Sequence, residues 1–170
     1  MSLRRKAADT TLFTVNPDGC PPDDDRSRER VRYFEGMLLT AADFEQEQAY
    51  FRAKARRHNR LLHGWGVAIG LEVSASASSG QVSVSPGYAL DPCGNEISIE
   101  ETVSVQVPKA GRFYLAVRFD EFDVSDRRAR DSYVIDVLDE PTEPWVVLAA
   151  VTVDDDQAVS IDSSVRRRLD

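Results

Sequence analysis

Residues 102–107, TVSVQV, place a valine at every second position and a polar residue before each one. Successive side chains of a β-strand point to opposite faces, so this pattern predicts a strand with one buried and one solvent-facing side. Other short apolar runs, bounded by glycine, proline or aspartate, read as further strands. The predicted strands cover residues 67–74, 81–85, 96–99, 102–107, 112–119, 132–138, 145–153 and 158–161.

One long α-helix is predicted upstream of these strands, over residues 41–62. Thr40 and Asp43 have the spacing of a capping box, and Leu39 and Phe44 have that of a hydrophobic staple. Acidic residues lie in its first turns and arginines in its last, which suits the helix dipole. The predicted fold class is therefore mostly β, an antiparallel β-sandwich or small barrel preceded by a flexible N-terminal arm and one long α-helix.

The amino-terminal arm is predicted from composition. Residues 1–30 have no sustained periodicity and are rich in proline and aspartate, which is typical of a flexible segment. Its one apolar island, Leu12, Phe13 and Val15, would either dock on a partner or pack on its own domain.

These patterns divide the chain into three parts. The first is the flexible arm, 1–30, and the second is the capped helix with its glycine-rich turn, 31–66. The third is the β domain, 67–170.

Length and charge limit the classes of function. A chain of 170 residues fits one domain, and its net charge of -8 disfavours nucleic acid and anionic membranes as partners. No apolar run approaches the roughly 20 residues of a membrane span, and the start of the chain lacks the apolar core of a secretory signal. We expect no membrane insertion and a cytoplasmic location, with Cys20 and Cys93 as free thiols in a reducing compartment.

The sequence offers little catalytic chemistry. Its two histidines, His58 and His63, are five residues apart, and that spacing does not place two ligands on one α-helical face as four would. The glycines in residues 64–70 follow a helix and open a strand, the reverse of the dinucleotide-binding order. Residues 123–131 mix aspartate with arginine and predict an exposed ion-pair loop. We predict no catalytic residue, no cofactor and no metal site.

Two long blocks of sequence resemble a module found in phage tail proteins and phage-tail-like contractile injection systems. They are residues 33–40, YFEGMLLT, and residues 58–67, HNRLLHGWGV. In that family the module sits in baseplate or fibre-related components. Shorter matches lie at 43–44, 47–48, 70–71, 84–91 (VSPGYALD), 94–97 (GNEI), 161–162 and 164–167.

The resemblance implies a structural role. It predicts an adaptor, baseplate or fibre-associated subunit of a tail-like particle or virion, and not an enzyme. Its partners would be other subunits of the particle. Tails of this kind have three- or six-fold symmetry, which favours a homo-oligomer, either a trimer or a hexamer.

Partner contacts are expected on the helix and the arm. The helix offers more large apolar side chains than one face can bury against one sheet, and surplus apolar surface usually marks a contact. The predicted partner-binding residues are Leu12, Phe13, Val15, Phe44, Tyr50, Phe51 and Leu61, with Leu62 beside them.

A second class of function stays open. The β domain could bind a glycan or a surface protein through its loops, with Tyr88, Tyr133 and Trp145 as aromatic platforms. A glycan-cleaving enzyme would need paired carboxylates, for which Glu100-Glu101 and Asp139-Glu140 are the candidates.

Overall fold

The chain is rich in antiparallel strands, which confirms the predicted mostly-β class. The computed structural model describes residues 20, 28–76, 80–156 and 158–169. The predicted island Leu12, Phe13 and Val15, like most of the predicted arm, lies outside these residues.

One α-helix precedes ten strands in the described part of the chain. The helix α1 spans Ala41–His58, a π-helical turn spans Asn59–His63, and a 3-10 turn spans Ser163–Val165. The strands are β1 (Gly66–Gly70), β2 (Val73–Ala75), β3 (Gln81–Val84), β4 (Gly87–Leu90), β5 (Glu96–Ile99), β6 (Val103–Gln106), β7 (Gly111–Ser125), β8 (Arg128–Leu138), β9 (Val146–Val153) and β10 (Val159–Asp162).

Three antiparallel sheets enclose a single core. Their strand orders are β1-β4-β5, β2-β3-β6 and β10-β9-β7-β8. Fully buried aliphatic side chains from all three sheets meet there, among them Val67, Val82, Leu115 and Leu148. Burying one such side chain contributes about 1.5–3 kcal/mol, so this core is the main source of stability. This arrangement is consistent with the predicted antiparallel sandwich.

The glycines of the sequence motifs allow two backbones to touch. Gly70 has φ of +65°, and a Cβ at this position would lie 2.1 Å from the carbonyl oxygen of Pro86. A Cβ at Gly87 would lie 2.4 Å from the carbonyl oxygen of Ile69. Any larger residue would push β1 away from β4. These glycines therefore have a structural role.

Arg166 joins the end of β1 to β9 from inside the protein. Its Nε donates to the Leu148 carbonyl at 3.0 Å, and its Nη2 donates to the Leu71 carbonyl at 2.8 Å. Its side chain is 1% exposed, and Nη1 forms an ion pair with Glu72 at 2.9 Å. Leu71 has φ of +54°, an uncommon conformation for a branched residue, and the Arg166 bond helps to hold it.

The prediction of two free thiols is wrong. Cys20 and Cys93 form a disulfide with 5.2 Å between their Cα atoms, and both residues are buried. The two cysteines are 73 positions apart in sequence, yet the fold brings Cys20 beside the turn that joins β4 to β5. The reducing compartment inferred from free thiols loses its basis.

Two other expectations about the β domain are corrected. Residues 123–131 form no loop of their own, because the β7–β8 ladder continues from Tyr114↔Leu138 to Ser125↔Arg128. The apolar inner half of the β7–β8 pair sets the strand register, and main-chain pairing in this register continues into the charged outer half. The predicted strands also omitted residues 87–90, which form β4.

Candidate interaction surface

The outer side of α1 carries an exposed apolar surface. No residue of the helix is buried. Phe44 is 50% exposed and Phe51 is 58% exposed, and their spacing of seven residues places them on the same side of the helix. In the π-helical turn, Leu61 is 71% exposed and Leu62 is 69% exposed. We call Phe44, Phe51, Leu61 and Leu62 the helix surface.

Backbone contact positions α1 on the β domain. Gly94 has φ of +83°, and a Cβ there would lie 2.2 Å from the Arg56 carbonyl oxygen. The Asn59 amide group donates to the Gly94 carbonyl at 3.0 Å. On the same side of the helix, the Arg52 guanidinium lies 3.5 Å from the Glu121 carboxylate of β7. The helix is therefore attached along its inner side by polar and main-chain contacts rather than by a buried apolar face.

The predicted helix start is confirmed. The Thr40 backbone N–H and its hydroxyl donate to Asp43 Oδ2 at 2.8 Å and 2.7 Å. These two hydrogen bonds, the hydroxyl's first, lower the pKa of Asp43. Because the ionised carboxylate accepts both bonds, it fixes the first turn of α1.

A segment upstream of α1 runs along the same helix. Gln46 donates its side-chain amide to the Glu29 carbonyl at 2.8 Å, and the Tyr33 hydroxyl donates to the Glu47 carboxylate. That hydrogen bond is the largest cause of the raised pKa of Tyr33. Leu38, in this segment, is 85% exposed. The segment therefore adds apolar surface close to the start of the helix.

Sequence reasoning found part of this surface. Phe44, Phe51 and Leu61 are exposed as a contact requires, whereas Tyr50 is half-buried and packs edge-on against Phe51, with ring centroids 5.4 Å apart. Leu12, Phe13 and Val15 lie outside the described residues. The sequence prediction missed Phe34, Leu38 and Ile69, which are also exposed. The signal for Phe34 and Leu38 was an apolar cluster in residues 33–40 without helical or strand periodicity.

A separate cavity of about 640 Å³ lies between the β4–β5 hairpin and the outer half of β7–β8. Tyr88 and Tyr133, predicted as aromatic platforms, both line it, together with the carboxylates of Glu100 and Glu101. Burial is the main cause of the raised pKa of Tyr88, followed by its hydrogen bond to Glu96.

Other candidates of the sequence prediction do not line this cavity. Trp145 has the Arg118 guanidinium over its ring at 5.4 Å from the centroid. Asp139 and Glu140 lie in the exposed turn after β8.

The two histidines meet at the end of the helix, contrary to the expectation from their spacing. Their Nε2 atoms are 3.2 Å apart. Within the described residues there is no group of three or more histidine, cysteine, aspartate or glutamate side chains that could hold a metal ion. Among the same residues, no helix is both long and apolar enough to cross a membrane.

The fold defines a β domain with a peripheral, partly apolar helix. The sequence matches no protein-family model and no curated protein. The fold is similar to that of TssK, solved as a crystal structure, with a TM-score of 0.53, 13% identity, and coverage of 79% of this chain and 40% of that chain. It is also similar to a chain of the baseplate complex from the type VI secretion system, with a TM-score of 0.50, 13% identity, and coverage of 79% and 57%.

These similarities concern the fold. The chain spans less than two thirds of the length of either solved chain. At 13% identity they show a shared fold over 79% of this chain.

Proposed function

We propose that this chain is a structural, non-enzymatic subunit of a contractile injection system, and that it belongs to the baseplate or to an adaptor attached to it. The observation that carries the proposal is the helix α1, which buries none of its residues while Phe44 and Phe51 stand half-exposed on one side. A helix left uncovered by its own core is suited to contact another chain.

Two similarities support a contractile injection system as the particle to which this chain belongs. The motif blocks at residues 33–40 and 58–67 resemble a module of tail-like particles. The fold is similar to TssK and to a chain of a type VI secretion baseplate complex, and that system is a contractile injection system. Two motif residues, Asn59 and Gly94, build the junction between helix and sheet.

The proposed partners are other subunits of the particle and further copies of this chain. A closed trimer or hexamer would bring the helix surface of each copy against a neighbour. In the same proposal, Leu12, Phe13 and Val15 of the amino-terminal part add a second contact. Assembly would take place in the cytoplasm, and neither nucleic acid nor a membrane is needed.

Light scattering of the purified full chain would test this proposal, first alone and then mixed with the products of neighbouring genes. We expect a trimer, a hexamer or a stable complex with a baseplate protein. Phe51→Glu should abolish this assembly, because it places a charge in an apolar contact. Phe122→Glu is the matched control, because Phe122 is similarly exposed but lines the cavity beside the β7–β8 hairpin and is not part of the helix surface. A monomer that binds none of these products, or equal effects of the two substitutions, would contradict the proposal.

The cavity between the hairpins supports a second candidate function. Tyr88 and Tyr133 share it with polar and acidic groups, an arrangement suited to stacking on a sugar and bonding its hydroxyls. Glycan-array binding that is lost in Tyr133→Ala and kept in Phe51→Glu would favour this candidate. Binding to no glycan would remove it.

A further inference from the structure

The imidazoles of His58 and His63 form a close pair at the carboxyl end of α1. Their Nε2 atoms are 3.2 Å apart and their ring centroids 5.1 Å apart, with 59° between the ring planes. Both residues are exposed, and the chain has no other histidine. Without a bound ion, one Nε2 can donate a hydrogen bond to the other.

The π-helical turn is the reason why these rings meet. Residues five apart in an α-helix point in directions about 140° apart, because each residue turns the helix by about 100°. A π-helical turn closes hydrogen bonds between residues five apart and so stacks them along the axis. The turn Asn59–His63 begins directly after His58 and ends with His63. Such turns often occur at functional sites.

The separation of the two nitrogens fits one metal ion between them. A zinc–imidazole bond is about 2.0–2.1 Å long, so two nitrogens in a tetrahedral site lie about 3.3–3.4 Å apart. Two adjacent nitrogens of an octahedral site would lie about 2.9 Å apart at the same bond length. The observed 3.2 Å lies between these values.

We propose that His58 and His63 form a two-imidazole binding site for a borderline transition-metal ion, Zn²⁺, Ni²⁺ or Cu²⁺. Neutral imidazole nitrogen is a preferred ligand of all three ions. Both rings would bind through Nε2 and keep their proton on Nδ1, so the ring that donates in the pair only changes tautomer. Water would fill the remaining positions in the isolated chain, since the described residues offer no third ligand group there.

Metal binding by these two histidines can be distinguished from metal binding by other groups of the chain. Cys20 and Cys93 form a disulfide, so neither thiol competes for the ion. Exposed carboxylates bind Mg²⁺ as well as other ions, whereas a pair of imidazoles discriminates against it. A signal that is seen with Zn²⁺, Ni²⁺ and Cu²⁺ but not with Mg²⁺, and that is lost when a histidine is replaced, therefore belongs to the histidines.

Calorimetric titration of the untagged, oxidised full chain with each of the four ions would test the site. We expect one Zn²⁺, Ni²⁺ or Cu²⁺ per His58–His63 pair, no Mg²⁺, and loss of binding in either His58→Ala or His63→Ala. Lys54→Ala, an exposed change one turn earlier, should leave binding unchanged. The exposed position of both histidines should leave the fold intact, which circular dichroism would check.

A register variant tests the role of the π-helical turn. The exchange Leu62→His with His63→Leu moves the second imidazole to a four-residue spacing, which suits an α-helix. We expect weaker binding, because it is the side chain at position 63 that brings an imidazole nitrogen within 3.2 Å of His58. No saturable binding, binding that survives both alanine variants, or tighter binding by the exchange variant would each overturn the proposal. None of these readouts depends on assembly into a particle.

Discussion

The β core and the helix α1 use similar apolar side chains in opposite ways. Leu148 of β9 has no exposed surface, whereas Phe51 of α1 is 58% exposed. The core surrounds its side chains with three sheets, but the helix is attached through main-chain and polar contacts at Gly94 and Arg52. Stability therefore resides in the β domain, and the apolar side of the helix remains free for a partner.

The largest expected difference separates a core truncation from a helix truncation. Leu148→Ala should lower the free energy of unfolding by about 2–5 kcal/mol, because it removes a buried side chain and leaves a cavity. Phe51→Ala should change it by no more than about 0.5 kcal/mol in the isolated chain. Urea denaturation would measure both. Similar losses for the two variants would show that the helix belongs to the cooperative core.

The second comparison is between two arginines that contact the same carboxylate. Arg166→Ala should destabilise the fold by about 3 kcal/mol, because it leaves the carbonyls of Leu148 and Leu71 without their donor. Arg168 also pairs with Glu72, at 3.1 Å, but its side chain is 61% exposed. Arg168→Ala should cost less than about 1 kcal/mol. Equal midpoints in thermal unfolding would contradict this reading of the buried arginine.

Sequence patterns predicted the elements whose signals are local. The capping-box spacing of Thr40 and Asp43 gave the helix start, and the alternation in residues 102–107 gave a strand whose valines are the less exposed side. Local patterns also located parts of the other strands. Sequence patterns also predicted that Phe44 and Phe51 are exposed. A helix with more large apolar residues than one face can bury must expose some of them, and this excess can be counted without knowing the tertiary structure.

The missed features depend on contacts between distant residues. The disulfide joins cysteines 73 positions apart, and only the fold shows that they are neighbours. The outer half of β7–β8 is charged and exposed, so its strand form comes from the register of the inner half. The meeting of His58 and His63 depends on a π-helical turn, and its five-residue hydrogen bonding has no compositional signal.

A smaller effect is expected at the start of α1. Thr40→Ala removes the hydroxyl that donates to Asp43 and should destabilise the first turn by about 1 kcal/mol. Because the helix lies outside the core, hydrogen exchange of the α1 amides should accelerate while the amides of β9 stay unchanged. Thr102→Ala, an exposed change next to β6, should leave the exchange of α1 as it is. Unchanged protection of the first turn in Thr40→Ala would argue against the cap.

The smallest expected effect is that of low pH on the stability of the first turn of α1. The pKa of Asp43 is lowered by its bonds from Thr40, so this carboxylate stabilises the helix fully above about pH 4, the ordinary aspartate range. Its contribution is lost as pH falls through the lowered pKa. Burial raises the pKa of Asp91, so protonation of that group favours the fold as pH falls toward 4. NMR of α1 between pH 5 and pH 2 should show its first turn loosening only below pH 4; loosening already near pH 5 would reject the assignment.

Hydrogen exchange of α1, measured in the free and in the assembled protein, would show whether the helix is the contact with the partner. We expect α1 amides to exchange faster than those of β9 in the isolated, dilute chain. We also expect residues 44–62 to become strongly protected in the particle or in a complex with a baseplate subunit, while β9 changes little. If residues 44–62 exchange equally in both states, the helix surface is not the contact and the account is contradicted.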